Sequence, residues 1–272
     1  MTKTALVTVA TGGIGLEITR KLSERGYKLT LVDFDARGLQ ALADKYPGST
    51  TQVLDQSKLE DVETFCDTVL ENGPAPDIAI INAGIIRIGD LMEVSRKDIT
   101  DQIYVNLVAG TFLIQSLARR MAQAKRGHIL ATVSMGGIVS MKGSAPYSAS
   151  KFGLRGLLWG LRDELKPHGV DISGIFPSGV DTPALRHEAF HGGSALNFVS
   201  PPVTAEDVAN AFMKAIDKPR LEVYVPGSEG ISGRILGAWP GLLSKLYPRL
   251  EKMGEVGRAK YIKQVREREQ HS

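Results

Sequence analysis

The chain has 272 residues, of which 43% are hydrophobic and 23% charged, and its formal net charge is +3. That length fits one large α/β domain with a small appendage, and the composition excludes disordered and fibrous classes. The charge is too small and too dispersed to argue for a nucleic-acid partner, and the single cysteine, Cys66, excludes an intrachain disulfide.

At the start, Thr4–Ala10 behind Met1-Thr2-Lys3 is too short an apolar run for a signal peptide and reads as a buried strand. This first strand, Ala5–Val9, runs into Ala10-Thr11-Gly12-Gly13-Ile14-Gly15 and then a helical pattern over Ile14–Arg25. Glycines let a backbone approach a ligand closely, and a helix N-terminus offers free N–H groups and partial positive charge. Thr11, Gly12, Gly13, Ile14 and Gly15 are therefore candidates to hold a pyrophosphate, although a tight strand–helix turn would need the same glycines. The second strand, Lys28–Val32, ends at Asp33, eighteen residues past Gly15. A carboxylate there can bind the ribose hydroxyls of NAD and repels the extra phosphate of NADP. No Lys or Arg stands next to Asp33, so NAD is the expected cofactor and NADP the less favoured one.

Further strands are expected over Thr51–Leu54, Ile78–Ile81, His128–Val133, Asp171–Phe176 and Glu222–Val225. Helical patterns lie between them, for example Leu59–Leu70, Arg96–Ala124, Tyr147–Lys166 and Ala205–Ile216. Near-continuous apolar strands mean burial on both faces, as in a parallel sheet, and right-handed crossovers then give a doubly wound α/β Rossmann fold. The expected sheet has seven parallel strands in the order 3-2-1-4-5-6-7. Cys66 beside Phe65 reads as a packed thiol.

Tyr147 and Lys151 are four residues apart on one helix, so they share a face. A tyrosine ionises near pH 10, too high for a base at neutral pH, but a nearby ammonium and a positively charged nicotinamide both favour the phenolate. Ser134, at the end of the fifth strand, can hydrogen-bond a substrate oxygen and hold it against the tyrosine. Asn106, inside the long helix, can fix a water that links Lys151 to solvent. A Tyr-x-x-x-Lys pair alone is common; one that follows a strand-end serine by thirteen residues, downstream of a dinucleotide cradle, is not.

With these pieces the chain resembles the short-chain dehydrogenase/reductase family. The matching segments are Thr8–Gly15, Asp33, Asp55, Asn82-Ala83-Gly84, Asn106, Ser134, Tyr147, Lys151 and Pro177–Thr182, and they cover residues 1 to about 226. The resemblance implies that Asn106, Ser134, Tyr147 and Lys151 form a catalytic tetrad. It implies that Asp55 contacts adenine, that Asn82, Ala83 and Gly84 lie beside the adenosine ribose, and that Lys151 also holds the nicotinamide ribose. Val180 and Thr182 would contact the nicotinamide carboxamide, with Pro177 in the same cofactor set. It further implies a homo-oligomer, dimer or tetramer, built on the two long helices. Three positions depart from the family pattern: Val9 and Ser178 stand where glycine is usual, and Ile81 where asparagine is usual. Val9 bears most on cofactor affinity, because a Cβ at that turn narrows the approach.

Residues Thr182–Pro202 are rich in Pro, Gly, Ser and His and read as a lid. Inside them, His187-Glu188-Ala189-Phe190-His191 matches a zinc-protease pattern, with Glu206 or Asp207 as a conceivable third ligand. Pro183 and Gly192-Gly193 leave little room for the long helix such a site needs, so no metal is expected. His128, His168 and His271 carry no pattern.

Residues 227–272 follow the seventh strand as an extension rich in apolar residues with interspersed cations. The favoured reading divides the chain into a Rossmann-type catalytic domain, 1–226, and a helical extension, 227–272, packed on or near the substrate cleft. Peripheral membrane contact and a subunit contact are the alternatives. No run approaches the roughly 18 apolar residues of a spanning helix. Together these features suit a cytoplasmic protein, with membrane association through its end left open. Near Ser134 the candidate cleft residues Met135, Gly136 and Met141 are apolar, so a lipophilic secondary alcohol or ketone is the expected small-molecule substrate, with Arg186 of the lid available to an acid. The rival readings are an NADPH-dependent ketone or ketoacyl-type reductase and a non-catalytic dinucleotide sensor on the same fold.

Overall fold

A computed structural model describes residues 2–270; Met1, His271 and Ser272 lie outside the described residues. Its strands are β1 (Thr4–Thr8), β2 (Lys28–Asp33), β3 (Thr50–Val53), β4 (Ile78–Ile81), β5 (Gly127–Thr132), β6 (Val170–Pro177) and β7 (Glu222–Val225). They form one sheet in the order β3-β2-β1-β4-β5-β6-β7, as expected, and every pairing is parallel. The central strands are buried on both faces, β4 at every position, which is why their sequences lack polar alternation.

Two separate apolar cores line the two faces. On one side α1 (Gly13–Glu24), α2 (Ala36–Lys45) and α8 (Ala205–Asp217) pack Ile18, Leu22, Leu39 and Phe212 against Val7, Leu31 and Ile80. On the other, α3 (Leu59–Phe65), α5 (Gly110–Ala124) and α6 (Ala145–Leu165) pack Val62, Leu113, Leu117 and Leu158 against Ala79, Ile129 and Ala131. Local chemistry fixes where helices begin. Thr204 and Asp207 form a reciprocal capping box at α8, and Ser95 accepts from the Asp98 N–H to start α4 (Arg96–Ile103). Asp35 caps α2 in the same way.

The long helical pattern expected over Arg96–Ala124 is interrupted. Between α4 and α5, Tyr104–Ala109 forms a π-helical turn that contains Asn106. Such a turn widens the helix by one residue, and periodicity does not announce it. Cys66 opens a second π turn, Cys66–Leu70, and is buried among the core residues. His128 is likewise structural: its Nε2 lies 2.8 Å from Ser173 Oγ between β5 and β6, and burial pushes it down to about 4.

Because strand order reverses between β1 and β4, a crevice opens at the carboxyl ends of these strands. Over it lie α7 (Pro183–His191) and a 3-10 turn, Ala195–Phe198. The extension forms α9 (Gly227–Ala238) and α10 (Pro240–Gln270). α9 lies on β7 and on the segment after β5: a Cβ on Gly230 would strike the Tyr224 ring, and one on Gly233 would strike Met135 Cε, each at 2.3 Å. α10 runs back along the lid. A Cβ on Gly254 would meet the Ala195 carbonyl at 2.0 Å and one on Gly257 the Phe198 carbonyl at 1.9 Å, so glycine alone permits this approach. Leu185, Ala189, Phe198, Tyr261 and Val265 then form a small third core.

Candidate active site

The cradle begins where β1 ends. Val9 leaves the strand with φ +52, in the left-handed region that a β-branched residue rarely occupies. Its carbonyl accepts from the Gly12 N–H at 3.2 Å. A Cβ on Gly15 would lie 2.0 Å from that same carbonyl, so Gly15 lets α1 sit directly on the turn. Gly12 caps α1 without a side-chain bond, which leaves the first N–H groups of the helix to a ligand. The geometry fits a dinucleotide pyrophosphate. Thr182 closes the far side: its Cγ2 would touch a Cβ on Gly13 at 3.5 Å.

Asp33 ends β2 and is buried. Its Oδ2 accepts from the Thr11 N–H at 3.0 Å and the Thr11 hydroxyl at 2.7 Å, and its Oδ1 from the Asp35 N–H at 3.2 Å. The carboxylate therefore braces the glycine turn. Asp55 accepts from the Ser57 hydroxyl at 2.6 Å and pairs with Lys58; the Ser57 bond holds it below the usual carboxylate range, against burial. Asn82 stitches β4 to its neighbours: its N–H donates to Thr8 Oγ1 at 2.9 Å, and its Oδ1 accepts from Thr132 Oγ1 at 2.7 Å. Ala83 is buried beside it. A Cβ on Gly84 would lie 3.2 Å from Lys151 Nζ, so glycine keeps that approach open.

Ser134, Tyr147 and Lys151 come together. β5 ends at Thr132, two residues earlier than expected for a strand-end serine, and Ser134 instead caps the turn Met135–Gly137, accepting from the Gly136 N–H at 3.0 Å. A Cβ on Gly136 would meet both Tyr147 Cε1, at 3.1 Å, and Ser134 Oγ, at 3.3 Å, so the two side chains stand together. Burial pushes the Tyr147 hydroxyl up to about 12; the neighbouring Ser134 hydroxyl opposes this and the charge of Glu188 adds to it. Lys151 is 2% exposed, donates to the Thr132 carbonyl at 3.0 Å, and has its Nζ 5.8 Å from the Tyr147 ring centre. Burial alone lowers it to about 8. The protein's own charges thus leave Tyr147 a neutral acid; Lys151 does not draw it into the neutral range.

Asn106 is held by three side-chain hydrogen bonds. Its Oδ1 accepts from the Ile85 N–H at 2.7 Å, and its Nδ2 donates to the Ile85 carbonyl at 2.9 Å and Ser150 Oγ at 3.1 Å. It clamps the chain leaving β4 to α6, and its Oδ1 and Lys151 Nζ both flank Gly84, 3.8 and 3.2 Å from the position of a Cβ there. The segment after β6 is fixed by backbone bonds: Pro177 ends the strand, and Val180 bridges to Val203. Gly136 and Met141 stand beside Tyr147: a Cβ on Gly136 would meet Tyr147 Cε1 and Met141 Cε at 3.1 Å each. Met135 turns under α9 instead. Arg186 pairs with Asp181 at 3.2 Å.

Glu188 stands in the sequence only inside the metal-like pattern, and the structure makes it a site residue. It lies on the same helix face as buried Leu185 and Ala189, a three- and four-residue spacing that already places it inward. It lines a cavity of about 430 Å³ with Arg87, Asp98 and His187, and accepts from Asn197 Nδ2 at 3.0 Å. Burial pushes its carboxyl up to about 7, opposed by Asn197 and Arg258. The neighbouring His187 and His191 stack on each other at 4.1 Å. Among the described residues no group of three or more His, Cys, Asp or Glu side chains is placed to hold a metal ion.

Known proteins supply the context. A model of the short chain dehydrogenases matches residues 3–191. A D-threitol dehydrogenase of Mycolicibacterium smegmatis is 33% identical over 206 residues, 73% of this chain and 78% of that protein. A mitochondrial borneol dehydrogenase of Lavandula x intermedia is 34% identical over 214 residues, 77% and 81% of the two chains. A solved short-chain dehydrogenase of Sphingobium yanoikuyae, in complex with NADPH, superposes with a TM-score of 0.76 at 25% identity, covering 89% of this chain and 95% of that one. The chain is an oxidoreductase of the short-chain dehydrogenase/reductase family.

Proposed function

We propose that the protein interconverts a secondary alcohol and a ketone with NAD(H), and that Tyr147 transfers the proton. The observation that carries this reading is that Ser134 and Tyr147 stand together beside a buried lysine, whose Nζ lies 5.8 Å from the Tyr147 ring centre, at the carboxyl end of the sheet. The nicotinamide, when bound, exchanges the hydride and, when oxidised, brings a positive charge beside Tyr147. In reduction, neutral Tyr147 donates its proton to the ketone oxygen while Ser134 holds that oxygen. In oxidation the same tyrosine must accept a proton, and Lys151, lowered to about 8 by burial, can pass one on. Asn106 positions the wall of the site by fixing Ile85. Gly136 leaves room for the carbinol carbon next to Tyr147.

Apolar Met141 and Ile86 favour a lipophilic substrate, while Glu188 offers one acceptor to a hydroxyl or amine on it. The extension, through α9 and α10, closes the cleft by holding the lid. The reading includes a homodimer built on α5 and α6, where Phe152 and Trp159 remain exposed.

Tyr147→Phe tests the assignment. Turnover is expected to fall by roughly 10²–10⁴-fold, while NADH binding, followed by fluorescence, stays within twofold or so of wild type. A Phe variant with near wild-type turnover overturns it. NADPH-dependent reduction is the second reading. Its specific support is that Asp33 already spends both oxygens on Thr11 and Asp35, while exposed Arg37 starts α2 close by. Titration with both reduced coenzymes separates the two: the Asp33 reading requires tighter NADH. A coenzyme that binds without turnover across an alcohol and ketone panel would point to a sensor.

A further inference from the structure

The extension has two faces of different character. Its inner face is tied to the lid and to the Met135–Gly137 turn by the close glycine contacts above. Its outer face is uncovered. On α9 and the joint that follows, Ile231 is 68%, Ile235 47% and Trp239 62% exposed. Along α10, Leu242, Lys245, Arg249, Met253, Val256 and Lys260 recur at three- and four-residue spacing, so they share one side of the helix, and all are exposed.

Charge is segregated between the two faces. The carboxylates of this stretch turn away from the outer face: Glu251 pairs with Lys142 at 3.2 Å and Glu255 with Arg258 at 3.3 Å. Arg234, Lys245, Arg249 and Lys260 have no carboxylate within ion-pair distance among the described residues. The result is a band of exposed apolar side chains studded with unpaired cations and free of acids. A second copy of the chain is a poor occupant, because a two-fold contact sets a patch against itself and would oppose like charges. A surface that is negative at its skin and apolar beneath suits both components.

We propose that this face docks on an anionic lipid bilayer. Trp239 sits at the corner between α9 and α10, where an amphipathic ring fits the headgroup level. Among the described residues no helix is long and apolar enough to cross a membrane, so the contact is peripheral, with helices lying in the surface plane. Each cation near an anionic surface strengthens partitioning by about fivefold, and salt weakens it. Docking is independent of the reaction read at Tyr147, since flotation reports position and not turnover.

The test uses the full chain and vesicles of phosphatidylcholine, alone or mixed with phosphatidylglycerol. The wild type is expected to float with the mixed vesicles, to bind pure phosphatidylcholine roughly tenfold less or weaker, and to be released by high salt. Ile235→Ser with Trp239→Ser, and separately Lys245→Gln with Arg249→Gln, should each cut flotation by roughly tenfold or more. Melting temperature and NADH binding should stay unchanged, because both pairs alter only outward-facing positions. Absence of wild-type flotation on mixed vesicles, flotation indifferent to lipid charge, or variants that float like wild type would each overturn the proposal. So would a drop in mass by light scattering in either variant, which would show that a second copy covers the face.

Discussion

The cofactor cradle and the lid are built in opposite ways. The cradle is made from strand ends and the turns immediately after them, with its contacts carried mostly by backbone atoms: the Val9 carbonyl, the α1 amides, the Thr11 N–H. The lid is held by side chains that reach it from residues far along the chain. Asp181, one residue before Thr182, accepts from the Tyr261 hydroxyl and from Arg268 Nη1 at 2.6 Å each, and Arg258 donates to the Gly193 carbonyl. A site made of backbone tolerates change in side chains outside its few glycines. A site made of distant side chains depends on the element that supplies them.

The largest expected effect follows from comparing two glycines, one in each region. Gly15→Val puts a side chain into the Val9 carbonyl, 2.0 Å from the Cβ position, and no flexible atom is there to yield. NADH binding should be lost outright, together with about 1–3 kcal/mol of stability from overpacking. Gly257→Val makes an equally severe clash with the Phe198 carbonyl, 1.9 Å away, but its contact is with the segment around Ala195–Phe198 and not with the glycine turn. That variant should keep NADH binding and lose its substrate KM. If both variants lose coenzyme equally in calorimetric titration, the two regions are not separable as described.

The same contrast explains what the sequence made legible. β1, the glycine turn and Asp33 are neighbours in a local pattern, and the sheet order follows from apolar strands alternating with helices. Ser134, Tyr147 and Lys151 come from β5's exit and a single helix turn, so spacing alone brought them together. The place of Asn106 was not legible, because a π turn at Tyr104–Ala109 rotates the helix and its partner Ile85 lies in a loop without periodicity. Glu188 was hidden inside a metal-like pattern whose two histidines stack on each other. The Asp181 cluster joins residues 80 and 87 positions apart, a separation no local signal spans.

Removing one strand of that cluster is the next smaller effect. Burial raises the Asp181 carboxyl, but hydrogen bonds from Tyr261, Arg268 and Arg186 outweigh it and hold it below the usual range. Tyr261→Phe keeps the ring against Phe198 and deletes one bond to a carboxylate, worth about 1.5–3 kcal/mol at most. With Arg186 and Arg268 still in place, KM should rise several-fold while kcat holds. A fall in kcat with KM unchanged would mean that Asp181 acts on Thr182 and the coenzyme rather than on the lid.

Glu188 connects the two regions, and pH reads the connection. Its folded value, about 7, lies above the ordinary 4.5. Its contribution to stability is therefore full below about 4.5 and lost as pH rises through about 7. Glu188→Gln removes a buried charge, so it should raise Tm more at pH 8 than at pH 5. Its charge also raises Tyr147, so the variant's oxidation rate should reach its alkaline plateau at lower pH than wild type. An unshifted profile, measured at saturating coenzyme, would place Glu188 outside the reach of the reacting oxygen.

The smallest effect concerns Val9. A left-handed backbone costs an L-residue about 1–2 kcal/mol, and Val9 holds it at φ +52. Val9→Gly releases that strain but loosens the unfolded chain, which costs about 0.5–1 kcal/mol. The net change in stability should be under about 1 kcal/mol, in favour of glycine. Coenzyme affinity is the more telling quantity. If Val9 narrows the cradle, the variant should bind NADH a few-fold tighter with kcat unaltered, since no atom of Ser134, Tyr147 or Lys151 moves. Should affinity instead fall, the valine is shaping the turn so that its carbonyl receives the Gly12 N–H. The strained residue would then belong to the cradle's working geometry.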